Sequence, residues 1–457
     1  MNSGRGGKIN VQKTKVYLTA ATLLVGLILA GAVSLTTTEA TISHADGILI
    51  DFEKYEVTWF EYDLNSDSSP LSLLEKACTE NEYTYTTDGG KVTEINGVSD
   101  SEKNSWNLWY IEKGTTQWVK SETYDINAKD YTVTAWAYRG NDDIPTVAVD
   151  ATGICVYGYS QAERIVTLSP VATETIGSLN AVSCIVGTDY YSNYPNSIAE
   201  LKSIGRIAEV GTYTDPSFES IMKQNPDIVI ADGSQYNQRQ VADSVRNANV
   251  NAVTIYDGSD IETIYNNTYL VGVAIGYELT AKSVITHNTI GMDNILSKID
   301  IREKKSVMVA LSPDAAPYVA GKYTFIDDII TSISADNAFS SMSGWTHANT
   351  ELIAEKNPDI IIIVTESYDA TQEEWDTMYN NLPDTWKLTK AYANKEIYLI
   401  SGKAADLASR SAPRFTQLCE ILGEIIYPDC FETEVPKFIG DGYSQYTVIT
   451  KDLGYDN

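Results

Sequence analysis

The segment Phe218-Glu-Ser-Ile-Met-Lys-Gln-Asn-Pro-Asp-Ile-Val-Ile230 returns later in the chain as Thr350-Glu-Leu-Ile-Ala-Glu-Lys-Asn-Pro-Asp-Ile-Ile-Ile362. Each copy reads as a short amphipathic helix, an Asn-Pro-Asp stop and a wholly apolar, β-branched run. The residue before a proline is pushed sterically out of the helical region, so Asn225 and Asn357 end their helices. The runs Ile228–Ile230 and Ile360–Val364 show no polar alternation, as expected of strands in a parallel sheet buried on both faces. Such a unit occurring twice predicts two similar α/β lobes, and ligands of paired lobes sit in the crevice between them.

At 457 residues there is room for two or three domains. A hydrophobic content of 43% and 30 tyrosines exclude wholesale disorder. The net charge of −29 argues against nucleic acid as a partner, because phosphate binding needs a basic face. Val16 to Leu35 is an almost uncharged apolar segment, roughly 30 Å long as a helix and enough to span a bilayer. Arg5, Lys8, Lys13 and Lys15 precede it, so the positive end stays inside and the remainder is exported to the cell surface. Its apolar length favours a retained anchor, whereas Ala30-Gly-Ala32 and Ser43-His-Ala45 resemble cleavage sites that would release the protein. No cysteine lies near it, which excludes lipid anchoring there. Cys78, Cys155, Cys184, Cys419 and Cys430 lack metal-binding spacing and read as buried small hydrophobes, with Cys419 and Cys430 the disulfide candidate.

Residues 1–45 thus form a signal or anchor with a stalk. From 46 to 145 aromatic and β-branched residues alternate with polar ones, as in Trp106-Asn-Leu-Trp-Tyr110, which predicts a mainly antiparallel β domain. One helix interrupts it at Pro70–Glu80, with Ser68 or Ser69 as cap. Asp142-Asp-Ile-Pro145 reads as a linker. Strand and helix patterns then alternate over 154–431: lobe 1 at about 164–258, a spine helix at about 261–298, and lobe 2 at about 305–430. Residues 432–457 read as a polar tail.

The order of motifs identifies a family. Arg164-Ile-Val-Thr-Leu-Ser-Pro-Val-Ala-Thr-Glu174, Val186-Gly-Thr-Asp-Tyr190, Tyr194-Pro195, the two repeat units, Ser343-Gly-Trp-Thr-His347 and Ser411-Ala-Pro-Arg414 resemble the substrate-binding proteins of ABC importers for vitamin B12 and ferric siderophores. The resemblance implies an α/β bilobal periplasmic-binding-protein fold, two Rossmann-like lobes joined by one long helix, little motion on binding and no catalysis. The first domain is similar to the C-terminal β domain of transcobalamin and intrinsic factor, through Ser72–Glu80, Val92–Val98 and Trp106–Tyr110. Two modules that each resemble corrinoid binders favour a cobalamin-type ligand over a siderophore or haem. The ligand is cargo, so no resident cofactor and no metal site is expected.

A corrin ring presents broad apolar faces and rim amides, so its pocket needs flat aromatic walls and neutral hydrogen-bonding groups. Loops after the lobe strands offer Ser169, Pro170, Tyr190, Tyr191, Tyr194, Gln235, Tyr236, Lys322, Tyr323, Trp345 and His347. Tyr190 and Tyr194 read equally well as packing under their loop, and His347 reads as a cobalt ligand or, more often for a lone histidine, as structural. Trp106, Trp109 and Trp118 read as core. In the resembled family an acidic residue on each lobe docks onto permease arginines. The matching positions here are Gln238 and Ser409, with Asp243 and Asp406 near enough in sequence to substitute.

Three functional readings follow. One is a receptor feeding an ABC importer permease. A second is an enzyme, since similar lobes host metalloclusters elsewhere; three histidines and the lack of a cysteine cluster stand against it. A third is a surface scavenging or adhesion protein without a transport partner.

Overall fold

Both Asn-Pro-Asp stops take the same geometry in the computed structural model. It describes residues 47–451 apart from 54–55, 63–67, 114–117, 141–144, 146–148, 155, 157–160 and 300–303. Asn225 and Asn357 adopt left-handed φ values of 47° and 48°, a region asparagine tolerates better than most side chains. They follow the helices Phe218–Met222 and Thr350–Lys356. The next aspartate reaches to the neighbouring strand. Asp227 Oδ2 accepts from the N–H of Arg164 and Asp359 Oδ2 from the N–H of Ser306, each at 2.9 Å. In return the N–H groups of Asp227 and Asp359 donate to the carbonyls of Arg164 and Ser306, each at 2.8 Å. Each stop therefore clamps the repeat strand of a lobe to that lobe's first strand.

The chain divides into two compact units, residues to Ala162 with Val273–Gly276, and Glu163–Gly272 with Tyr277 onward. The first contains β1 (Gly47–Glu53), β2 (Glu56–Glu61), the helix Pro70–Asn81, β3 (Tyr85–Asp88), β4 (Lys91–Ile95), β5 (Val98–Ser99), β6 (Ser105–Glu112), β7 (Trp118–Lys120) and β8 (Tyr131–Arg139). Its main sheet has the order β2-β1-β8-β6-β7, and β3-β4-β5 form a separate small sheet. Period-two alternation makes both faces apolar. Ile48, Ile50, Trp106, Leu108 and Trp136 pack with Leu73, Leu74 and Cys78 of the helix, while Leu49, Trp109, Ile111 and Val133 pack on the other side with Trp118 against them. Trp106 and Trp109 are core and Trp118 is at its edge, as expected. Ser69 caps the helix by accepting from the N–H of Ser72 at 3.1 Å.

In the second unit, lobe 1 holds β9 (Ile165–Thr167), β10 (Ile185–Thr188), β11 (Ala208–Glu209), β12 (Ile228–Asp232) and β13 (Asn251–Ile255), all parallel in the order β11-β10-β9-β12-β13. Lobe 2 holds β14 (Ser306–Ala310), β15 (Tyr318–Ala320), β16 (Asp336–Asn337), β17 (Trp345–His347), β18 (Ile360–Val364), β19 (Ile397–Ile400) and β20 (Phe438–Ile439). The order is β17-β15-β14-β18-β19-β20, with β16 beside β14 and only β15 and β17 antiparallel to their neighbours. Every residue of the repeat strands β12 and β18 is buried. Helices packed on these sheets complete the cores, with Ile221, Ala242 and Val245 in lobe 1 and Ile353, Trp375 and Met378 in lobe 2.

Three expectations are corrected. The spine is two helices, Ile261–Ala274 and Glu278–Lys298, because Gly276 takes a left-handed φ of 77° that ends the first. A single glycine inside a helical pattern carries too little signal to reveal the break. Residues 432–451 are not a loose tail: β20 pairs in parallel with β19, and the N–H groups of Ile449 and Thr450 donate to buried Glu420 at 2.6 and 2.9 Å. Cys419 and Cys430 are both free. Cys419 lies inside the helix Phe415–Ile426, and its remaining turns carry the chain roughly 10 Å onward, beyond disulfide reach.

Val16–Leu35, Cys155 and most of the Asp142–Pro145 linker lie outside the described residues. Among the described residues no helix is long and apolar enough to cross a membrane.

Candidate binding site

Parallel strands place all their carboxyl ends on one edge, and lobe 1 grows outward in both directions from β9 and β12. That switch point opens a crevice at the edge. Two residues read from sequence as site groups instead fill and stitch it. Ser169 is fully buried, and its Oγ accepts from the N–H of Ala172 at 3.2 Å to cap the helix Pro170–Ser178, with Pro170 at the first helical position. Gln238 is 0% exposed. Its Oε1 accepts from the N–H of Asp232 at 2.7 Å, and its Nε2 donates to the carbonyls of Leu168 at 2.9 Å and Tyr213 at 2.7 Å. It joins three loops and has no surface with which to dock.

The loop after β10 is held from beneath. Asp189 is buried and accepts from the N–H of Tyr191 at 2.8 Å and from the hydroxyl of Ser192. Burial pushes its carboxyl up, and these hydrogen bonds with the nearby Lys202 charge pull it back. Lys202 Nζ donates to the carbonyls of Asp189, Tyr190 and Ser192 at 3.2, 2.7 and 3.3 Å. The result is a fixed loop presenting Tyr190 and Tyr191, 59% and 54% exposed and edge-to-face at 5.2 Å. Tyr194 is half-buried, its ring centroid 3.4 Å from the Arg414 guanidinium. Beyond β12, Gln235 is half-buried at the cap position of the helix Tyr236–Asn247, and Tyr236 is exposed. Tyr213 lies between these loops, its hydroxyl donating to Asp232 at 3.2 Å.

In lobe 2 the candidates gather on one ribbon. β15 and β17 pair Tyr318 with His347 and Ala320 with Trp345, so Trp345, His347 and Tyr318 share a face. Trp345 is thus a strand residue, half-buried, rather than part of a loop. The ribbon continues through Lys322, whose N–H donates to the carbonyl of Met342 at 2.7 Å and whose carbonyl accepts from Gly344 at 2.7 Å. Lys322 and Tyr323 are exposed, with the ammonium 4.9 Å from the ring. The rings of Tyr318 and His347 lie 3.7 Å apart. His347 Nδ1 donates to the carbonyl of Ala316 at 2.9 Å, which leaves the Nε2 lone pair available. Tyr318 escaped the sequence reading; its alternation with buried Val319 was the available signal. Among the described residues no group of three or more His, Cys, Asp or Glu is arranged to hold a metal.

Of the docking candidates, Asp243 is exposed and pairs with Arg246 at 2.8 Å. Ser409 is exposed at the end of the helix Lys403–Ser409. Asp406 on the same helix is partly buried and bonded to Arg410 at 2.6 Å.

A bilobal α/β scaffold with aromatic groups on its strand edges is an arrangement suited to holding a ligand. The chain belongs to the Periplasmic binding protein family, which it matches over residues 165–404. It is 27% identical over 300 residues to the uncharacterized ABC transporter substrate-binding lipoprotein YvrC of Bacillus subtilis, covering 65% of this chain and 90% of that protein. It is 21% identical over 244 residues to the cobalamin-binding protein of Halobacterium salinarum, 50% of this chain and 61% of that protein. It is 24% identical over 204 residues to the vitamin B12-binding protein of Salmonella paratyphi A, 44% of this chain and 72% of that protein. Among solved structures, the TroA-like periplasmic binding protein FepB of Veillonella parvula superposes with a TM-score of 0.52 at 21% identity, covering 68% of this chain and 97% of that one. This likeness shows the fold alone.

Proposed function

We propose that the second unit is an extracytoplasmic receptor that captures a cobalamin-type corrinoid and hands it to an ABC importer permease, without chemistry of its own. The observation carrying this reading is a set of exposed, neutral aromatic groups on the strand edges of both lobes, Tyr190, Tyr191 and Tyr236 on one and Tyr318 and Tyr323 on the other. Trp345 adds a further flat face. Rigid rings of this kind suit a large uncharged macrocycle better than a carboxylate-rich chelate, which would require several cations. Relatives named for cobalamin and vitamin B12 support the assignment, as does the similarity of the first domain to the transcobalamin β domain. Asp243 and Ser409 are the surface groups offered to the permease, and the apolar segment Val16–Leu35 is the anchor or export signal.

A haem or ferric chelate is the second reading, favoured by the free Nε2 of His347 beside the Tyr318 ring. Incubation with cyanocobalamin, haemin and a ferric siderophore, followed by desalting and visible absorbance, separates them. Retention of the cobalamin spectrum at one equivalent is expected. Retention of haemin alone replaces the first reading with the second.

A further inference from the structure

Glu174 lies on the lobe 1 helix Pro170–Ser178 and is 3% exposed. Two arginines from beyond β19 in lobe 2 converge on it. Arg410 Nη1 donates to Oε1 at 2.6 Å, and Arg414 donates through Nη2 to Oε1 at 2.7 Å and through Nε to Oε2 at 2.9 Å. Arg414 also donates to the Tyr443 hydroxyl at 2.9 Å. Asp406 pairs with Arg410 at 2.6 Å, so two carboxylates face two guanidinium groups in a nearly water-free setting. Such a set persists only when its geometry is complete, because desolvation penalises every unmatched charge.

The network reaches the tyrosine loop at two points. The Tyr194 ring lies against Arg414 at 3.4 Å. Asn193 accepts from Arg410 at 2.7 Å and donates to Asp406 at 3.2 Å. The same loop is pressed onto the Glu174 helix, where a Cβ added at Gly177 would come within 2.6 Å of the Pro195 ring. One residue further along lobe 2, the Ser411 hydroxyl donates to the carbonyl of Asp257 in lobe 1 at 3.3 Å. The spine between the lobes is broken before Tyr277, so helix continuity does not fix their separation.

We propose that Glu174, Arg410 and Arg414 are positioning residues that latch lobe 2 to lobe 1 and set the tyrosine loop for its ligand. This rests on the receptor reading for the identity of the ligand, but the latch itself is a property of the free protein. Small-angle scattering on the full chain tests it. The unaltered protein should keep one radius of gyration with and without cyanocobalamin. Arg414→Met, with circular dichroism unchanged, should enlarge the free protein, let it contract on adding cyanocobalamin, and weaken binding tenfold or more. Arg414→Lys should recover part of the compactness. A folded Arg414→Met with unchanged dimensions overturns the latch.

Hydrogen exchange on the unaltered chain keeps the test open if the variant does not fold. The segments Pro170–Ser178 and Lys403–Ser409 should open together, and unrelated exchange rates would contradict the proposal. Absence of cyanocobalamin binding by the unaltered protein would overturn the receptor's ligand assignment while leaving the free-protein comparison decisive for the latch.

Discussion

Gln238 illustrates what residue-level sequence reading can and cannot see. Its place in the family pattern was legible, but its burial was not, because a polar residue in a helix-start pattern looks the same whether it faces solvent or three backbone partners. Replacing it by Glu should lower stability by about 2–3 kcal/mol, since a carboxylate would face the carbonyls of Leu168 and Tyr213 that now accept from the amide. Urea unfolding measures this, and an unchanged midpoint would remove the stitching role. Glu424 is a second case. It is buried on the helix Phe415–Ile426 with Oε2 unpartnered, and burial, reinforced by the Glu420 charge, pushes its carboxyl from 4.5 to about 8. The native state therefore holds a proton that the unfolded chain has released between these values, so stability declines as pH rises through that window. Glu424→Gln should flatten the decline, seen as urea midpoints between pH 5 and 8.5 that stay level in the variant and fall in the parent. Parallel falls in both would assign the dependence to another group.

At the scale of elements, the repeat was legible because helix, stop and strand each carry a separate physical signature, and all three recur in phase. The aspartate clamp shows why the third stop residue recurs: it ties the repeat strand to its neighbour in both lobes. For Asp359, burial opposes ionisation, yet the hydrogen bond from Ser306 and the Lys390 charge hold the carboxyl below its usual range. Its stabilisation is present above the unfolded value and fades in acid. Asp359→Ala should cost about 1–2 kcal/mol at neutral pH, with the difference from the parent shrinking below about pH 4; a difference independent of pH would assign the loss to packing. The spine break and β20 were not legible. One glycine interrupts the first, and a two-residue strand, Phe438–Ile439, is too short to show periodicity.

For the molecule as a whole, the two-lobed plan followed from the sequence, whereas the site emerged only in part. Exposed tyrosines can be guessed from loops after strands, but pairings such as Tyr318 with His347 depend on strand register, which the sequence does not display. The terminal segment likewise belongs to the second unit. A chain ended at Phe431 should lose cooperative unfolding, because Glu420 would stay buried without its donors at Ile449 and Thr450, and a sharp thermal transition in that fragment would show the segment to be dispensable. The central claim is that both lobes furnish walls for a single ligand. Calorimetric titration of cyanocobalamin into Tyr191→Ala, from lobe 1, and Trp345→Ala, from lobe 2, tests it most directly. Each substitution should weaken binding, by roughly 2–4 kcal/mol for the larger tryptophan face, with melting temperatures close to that of the parent. Full affinity in either variant would contradict a site shared between the lobes.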